Sequence, residues 1–181
     1  MKLDLYPTKF LAVLKIIFQS RLTDEDVAFI REYLTKQEQI LFYALTALDQ
    51  RHSLNTAYAI QEWLGKKPKV RPDKLYKAAL LHDIGKARAK LRLIDRVNQV
   101  LLFTFCPPLA NYLADRGAVD HRGYWRRILY TYKYHPRLGA NLAKSIRVED
   151  SVIYLIENHH LPESTDEPRE LSLLREADQL N

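Results

Sequence analysis

The chain of 181 residues has a single cysteine, Cys106, which excludes an intramolecular disulfide and any zinc site built on cysteine pairs. A lone thiol of this kind reads as an inert core residue and fits a reducing compartment, as it would many exported bacterial proteins. Glycine is scarce, with five residues, and no segment shows the alternation of a β-strand. Long hydrophobic runs are missing too. The stretch Phe10-Leu11-Ala12-Val13-Leu14 is preceded by Asp4 and Lys9 and stopped by Lys15, which makes it too short and too charged for a signal peptide or a membrane span. A second apolar run, 100–105, ends at Pro107-Pro108. With no domain linker, internal repeat or low-complexity tract, a soluble, cytoplasmic, single-unit protein is expected. Its length suffices to bury about two thirds of its unfolded surface, so no metal is needed merely to fold it.

What the chain has is helical periodicity almost throughout, which predicts an all-α fold. Thr23 with Asp26 forms a capping-box pattern opening a helix to about Leu34, and Thr35 caps a next segment through Ala47. Asp49 starts a third helix, carrying His52 on its first turns and ending at Gly65. Pro72 sits at the first turn of a helix that runs through Ala78-Ala79-Leu80-Leu81 and delivers His82-Asp83, with Gly85 at the exit turn. Further helices are expected over 93–105 and 109–113. After a break containing Gly117, Asp120 and Gly123, the next helix carries Tyr124, Trp125, Ile128, Leu129 and Tyr132 and is ended by His135-Pro136. Segments 138–146, 151–159 and Arg169 onward complete the set.

The net charge of +6 is uneven: eleven Lys or Arg residues stand between Lys66 and Arg96 against Asp73, Asp83 and Asp95, whereas 149–178 is predominantly acidic. Lys66, Lys67 and Lys69 read as a solvated face. The remaining positive charge brackets His82-Asp83 and would attract an anionic substrate.

Five of the six histidines form a spaced series with two aspartates: His52, His82-Asp83, His135, His159-His160 and Asp178. Each lies at or near a predicted helix end. Taken singly, His52 or His135 is more simply a structural or surface histidine, and Asp178 a surface carboxylate. Together they supply enough ligands for two metal ions, and a mixture of imidazole and carboxylate suits a first-row transition metal. His121 has no place in the set and reads as solvent-facing. The aromatic residues Tyr124, Trp125, Tyr130, Tyr132 and Tyr134 could stack on a nucleobase, but their helical spacing favours packing in the core.

The order His, His-Asp, His, His-His, Asp, with His82-Asp83-Ile84-Gly85-Lys86 at its centre, resembles the HD superfamily of metal-dependent phosphohydrolases, in particular its HDIG branch. The resemblance spans about 49–180 and includes His135-Pro136-Arg137-Leu138-Gly139-Ala140 and Glu157-Asn158-His159-His160. It implies an all-α HD-domain bundle over 49–181; residues 1–48 are not covered by it and read as accessory helices packed on the bundle as one structural unit. It also implies one metal on His52, His82, Asp83 and Asp178 and a second on Asp83, His135, His159 and His160, with Asp83 shared. Iron or manganese is the expected pair, with cobalt, nickel, zinc or magnesium as alternatives.

Two such ions can hold a bridging hydroxide, clamp phosphoryl oxygens and stabilise a leaving oxygen. Asp83 and Lys86 are the candidate catalytic residues, Lys86 neutralising charge on the phosphoryl group, with a plain exposed lysine as the alternative. Arg51 is a weaker phosphate candidate, equally readable as a salt-bridged arginine. Cyclic di-GMP-hydrolysing relatives of the HD-GYP branch place glycine-tyrosine-proline after the paired histidines, whereas here Leu161-Pro162-Glu163 follows. Some members carry a glutamate four residues before the first histidine; that position is Leu48, with Asp49 one residue out of register, so a third metal is not expected. The expected activity is a phosphodiesterase acting on a small nucleotide-type phosphoester. A mononucleotide phosphatase is the alternative within the enzymes, and a metal-containing regulatory or nucleic-acid-binding module is the alternative outside them. A membrane partner is not expected.

Overall fold

The computed structural model describes residues 21–65, 72–89, 93–117 and 123–181, and among them every regular element is helical, as the periodicity predicts. The expectations placed on 10–14, Lys66, Lys67, Lys69, Asp120 and His121 lie outside the described residues.

Reciprocal caps start the described chain. The Thr23 hydroxyl accepts from the Asp26 N–H while the Asp26 carboxylate accepts from the Thr23 N–H at 2.8 Å, and Thr35 with Glu38 repeats the arrangement. Each pair satisfies two backbone donors that a helix leaves free at its start. They open α1 (Asp24–Tyr33) and α2 (Lys36–Tyr43). The second segment stops at Tyr43 rather than Ala47, because Thr46 adopts an extended backbone and its hydroxyl takes the Asp49 N–H, opening α3 (Ala47–Leu64).

Both capping acids are buried and serve twice. Glu38 accepts from Lys77 at 2.8 Å, and Asp26 takes both terminal nitrogens of Arg51, at 3.2 and 2.6 Å, together with the Tyr58 hydroxyl at 2.8 Å. Burial opposes charge on Asp26, but Arg51, the Thr23 N–H and Tyr58 outweigh it and hold its pKa at about 2. A folded value below the unfolded one means this contribution is complete above about pH 4 and is lost as the pH falls through about 2. Arg51→Met should therefore lower the urea midpoint at pH 7 by the equivalent of about 1–3 kcal/mol. The difference from the unsubstituted protein should shrink steadily toward pH 2. An equal difference at both ends of the range would show that the Arg51 stem, not its charge, is what holds α1 to α3.

The next helix, α4 (Pro72–Leu81), is the hub. Leu75, Tyr76 and Ala78-Ala79-Leu80-Leu81 are all buried, because α1, α2, α3, α8 and α9 pack around it. Around it run a 3-10 turn over Ile84–Arg88, then α5 (Leu93–Phe105), α6 (Pro107–Arg116), α7 (Tyr124–Ser145), α8 (Asp150–Asn158) and α9 (Arg169–Leu180). Ile30 and Phe42 from α1 and α2 belong to the same apolar cluster as Leu80, Ala140, Ile156 and Leu174. None of these helices is long and apolar enough to cross a membrane.

Three further local expectations differ from what is observed. Cys106 is exposed rather than core, since it stands at the corner between α5 and Pro107, just ahead of α6. The aromatic series on α7 is not in the core either: Tyr124 and Trp125 are exposed, and Tyr134 bonds Asp115 of α6 at 2.6 Å. The inner face of α7 is taken instead by Ile128, Leu129, Leu138 and Ala140. Finally, α7 does not end at His135-Pro136 but continues through both as one helix of 22 residues. A proline removes one helical hydrogen bond and presses on the carbonyl four residues back, and the turns on either side bridge that gap.

Candidate metal centre

The series of histidines and aspartates converges at one end of the hub helix. His52 comes from α3, His82 and Asp83 from the turn after α4, Lys86 from the 3-10 turn, His135 from the middle of α7, His159 and His160 from the end of α8, and Asp178 from α9. What brings α7 against the turn after α4 is a glycine contact. A Cβ on Gly85 would lie 2.1 Å from the His135 carbonyl oxygen and 2.8 Å from the Gly139 nitrogen. Gly85 has no positive φ, so its role is close backbone approach rather than a left-handed exit turn.

The carboxylate of Asp83, wholly buried, sits between two histidine groups and shows one oxygen to each. Its Oδ2 lies 3.5 Å from His82 Nε2 and 3.8 Å from His52 Nε2, while its Oδ1 lies 3.2 Å from His135 Nε2. On the first side, Asp178 Oδ1 is 2.8 Å from His52 Nε2 and 3.3 Å from His82 Nε2. On the second, the rings of His135, His159 and His160 pack with centroids 4.4–5.3 Å apart. The donor atoms of His52, His82 and Asp83 fall within 4.8 Å of one another, as do those of His135, His159 and His160, and those of His82, His159 and Asp178.

Three rings are oriented by one device. His82, His135 and His159 each bring Nδ1 to the carbonyl three residues back, Ala79 at 2.8 Å, Tyr132 at 2.7 Å and Ile156 at 2.8 Å. A carbonyl only accepts, so Nδ1 carries the hydrogen and Nε2 is turned into the hollow.

The two groups hold their protons differently. Burial opposes charge on His82, but Asp83 and Asp178 outweigh it and raise its pKa to about 9. Burial, with the Lys86 ammonium nearby, depresses His135. Burial and the neighbouring imidazoles hold His159 well below the ordinary range, and burial with His135 takes His160 down to about 4. Burial would raise both acids, yet Lys86 and His82 hold Asp83 well below the usual carboxylate range, and His82 and His52 do the same for Asp178.

Asp83 Oδ1, His135 Nε2 and His159 Nε2 are buried without a hydrogen-bond partner. At neutral pH all three are acceptors, so the 3.2 Å approach of His135 to Asp83 is a meeting of two lone pairs. Buried polar groups are normally satisfied, and a divalent cation is the partner this donor set fits.

The phosphate candidates are placed less uniformly. Lys86 directs its ammonium onto Asp83 Oδ2 at 2.6 Å and is only partly exposed. Arg51 is turned away from the hollow, with its guanidinium on Asp26 and the Arg21 carbonyl. Asp49, one residue out of register for a further ligand, has both oxygens on Arg96 of α5, at 2.7 and 2.5 Å. Arg96 was not among the candidates from sequence: its partner is far away along the chain, and no local pattern marks it.

Comparison with known proteins places part of this arrangement. The family model described as HD domain matches residues 50–104, a stretch that contains His52, His82, Asp83 and Lys86. It covers under a third of the chain and ends before His135, His159, His160 and Asp178. No curated protein and no solved structure matches the chain.

Proposed function

We propose that the protein is a metal-dependent phosphohydrolase of the HDIG type. In this reading one divalent ion is held by His52, His82, Asp83 and Asp178 and a second by Asp83, His135, His159 and His160. The observation that carries it is Asp83, whose two oxygens face two separate histidine groups. Transition-metal ions suit this mixture of imidazole and carboxylate, with iron or manganese favoured.

Bound ions of this kind supply Lewis acidity to a phosphoryl group and to an attacking water. The chain contributes the rest. His82, His135 and His159 are fixed by main-chain carbonyls, so the ligand atoms need little reorganisation. Lys86 keeps a cation beside Asp83 at the edge of the hollow, placed to meet the negative charge of a phosphoryl oxygen. Hydrolysis then forms a P–O bond to water and breaks the P–O bond to the leaving oxygen, with no covalent intermediate on a side chain. The substrate class proposed is a nucleotide-type phosphodiester. The nucleic-acid-binding alternative draws less support, since Lys74, Lys77 and Arg96 are paired with Glu149, Glu38 and Asp49.

Elemental analysis of the purified protein, followed by assays on cyclic dinucleotides, linear dinucleotides and mononucleotides with added manganese or iron, tests the proposal. Two ions per chain and turnover abolished by a chelator are expected. His160→Ala should lose the second ion while retaining the first. Full metal content and activity in that variant would remove the second ion from the reading, and binding to nucleic acid that survives chelation but collapses with salt would favour the non-enzymatic alternative.

A further inference from the structure

His82 and His159 lie just past the ends of α4 and α8, and the carbonyls they use, Ala79 and Ile156, belong to final turns. A helix leaves its last four carbonyls without an internal donor, so those two are free for an imidazole. His135 has no such advantage, because it lies in the middle of α7, where the Tyr132 carbonyl would ordinarily accept the N–H of residue 136. Residue 136 is a proline, buried within the helix, and has no N–H to give.

We propose that Pro136 is a positioning residue: by withholding the N–H that would occupy the Tyr132 carbonyl, it reserves that oxygen for His135 Nδ1 and so aims Nε2 of His135 at Asp83. The inference rests on the metal-site reading for its consequence, but its immediate claim concerns only a hydrogen bond within α7. It also accounts for a proline in a helix interior, where one ordinarily destabilises the helix. The mid-helix position thereby acquires the open carbonyl that the other two rings find at helix ends, and the three imidazoles present the same nitrogen to the hollow.

The test compares two replacements that differ only in the N–H. Pro136→Ala restores the donor. Lactic acid in place of Pro136, introduced as a backbone ester, has the same methyl side chain and no N–H. In metal-free full-length protein, nitrogen-15 spectra of the histidine rings should show His135 as the Nδ1–H tautomer in the unsubstituted chain and in the ester. The alanine variant should show a mixture or the Nε2–H form. Manganese titration should then show about 10-fold or greater weakening of the second ion in the alanine variant, a loss typical of removing a partner that orients a ligand, with the first ion unchanged and the ester close to the original.

If the ester matches alanine in tautomer and affinity, or neither variant folds, the pyrrolidine ring rather than the missing donor is what the site requires, and the proposal falls. An unchanged His135 tautomer in the alanine variant overturns it as well. Should the tautomer shift as expected while the unsubstituted protein binds only one ion, the positioning role stands and the two-ion reading fails.

Discussion

Asp83→Asn is expected to leave at most one divalent ion per chain and to reduce phosphoester hydrolysis by at least about 10³-fold, since a catalytic cation supplies several kcal/mol and each 1.36 kcal/mol is a decade in rate. The asparagine keeps the shape of the side chain, but it offers one oxygen and one N–H₂ where the aspartate offers two oxygens. Only one of the two histidine groups can then share an oxygen of residue 83 with a cation, because an N–H₂ group offers a cation no lone pair. The substitution also leaves the Lys86 ammonium, now 2.6 Å from Asp83 Oδ2, without its counter-charge in a mostly buried position, so the metal-free protein should lose about 1–3 kcal/mol of stability. Metal analysis, single-substrate kinetics and urea unfolding of the metal-free form separate these effects. Asp83→Asn protein that still carries two ions and turns over at the original rate would end the shared-carboxylate reading.

Gly85→Ala is expected to lower the melting temperature of the metal-free protein by about 6–12 °C. The added methyl carbon would fall 2.1 Å from the His135 carbonyl oxygen and 2.8 Å from both the His135 carbonyl carbon and the Gly139 nitrogen, all main-chain atoms with no rotamer to escape into. Overpacking of a dense interior costs about 1–3 kcal/mol; with backbone on both sides the upper end applies, and a chain of this length loses about 2–4 °C per kcal/mol. Gly65→Ala is the control, because a Cβ there meets nothing nearer than the Gln61 oxygen at 3.5 Å. It should be neutral. Calorimetric scans in chelator measure both, and a Gly85→Ala melt within about 2 °C of the original would show that α7 can move away without cost. Where it cannot, the displaced strip of backbone is the one carrying His135, so the second ion should be weakened more than the first.

What could be read from the sequence was what is local or compositional. The capping boxes at Thr23 and Thr35 were legible because both partners lie within one helical turn, and the helix that delivers His82-Asp83 because Pro72 opens it and the apolar run 78–81 leads to its end; that this helix is the hub was not. The cluster itself was legible as a set of residue types and an order, and the structure brings His52, His82, Asp83, His135, His159, His160 and Asp178 to one hollow. Which oxygen of Asp83 faces which histidines is a tertiary fact with no local trace. The same is true of Gly85, whose place in the fold is set by its close approach to His135 on another helix, and of Arg51, whose partner Asp26 lies on another helix. Pro136 misled because a proline normally ends the helix it enters, and here its missing donor is put to use within one. Cys106 misled because the base rate for a lone thiol favours the interior, whereas this one sits at a corner between helices.

His82, His135 and His159 each surrender the near ring nitrogen to the main chain and reach inward with the far one, so all three are arms of a single fixed length. The spacing of the three inward nitrogens is then decided by where α4 and α8 stop and where Pro136 stands in α7, not by the torsion of individual side chains. An attempt to suit the centre to a larger or smaller cation would have to shift a helix end by a fraction of a turn. Exchanging one ligand type for another would alter its affinity and leave its aperture as it was.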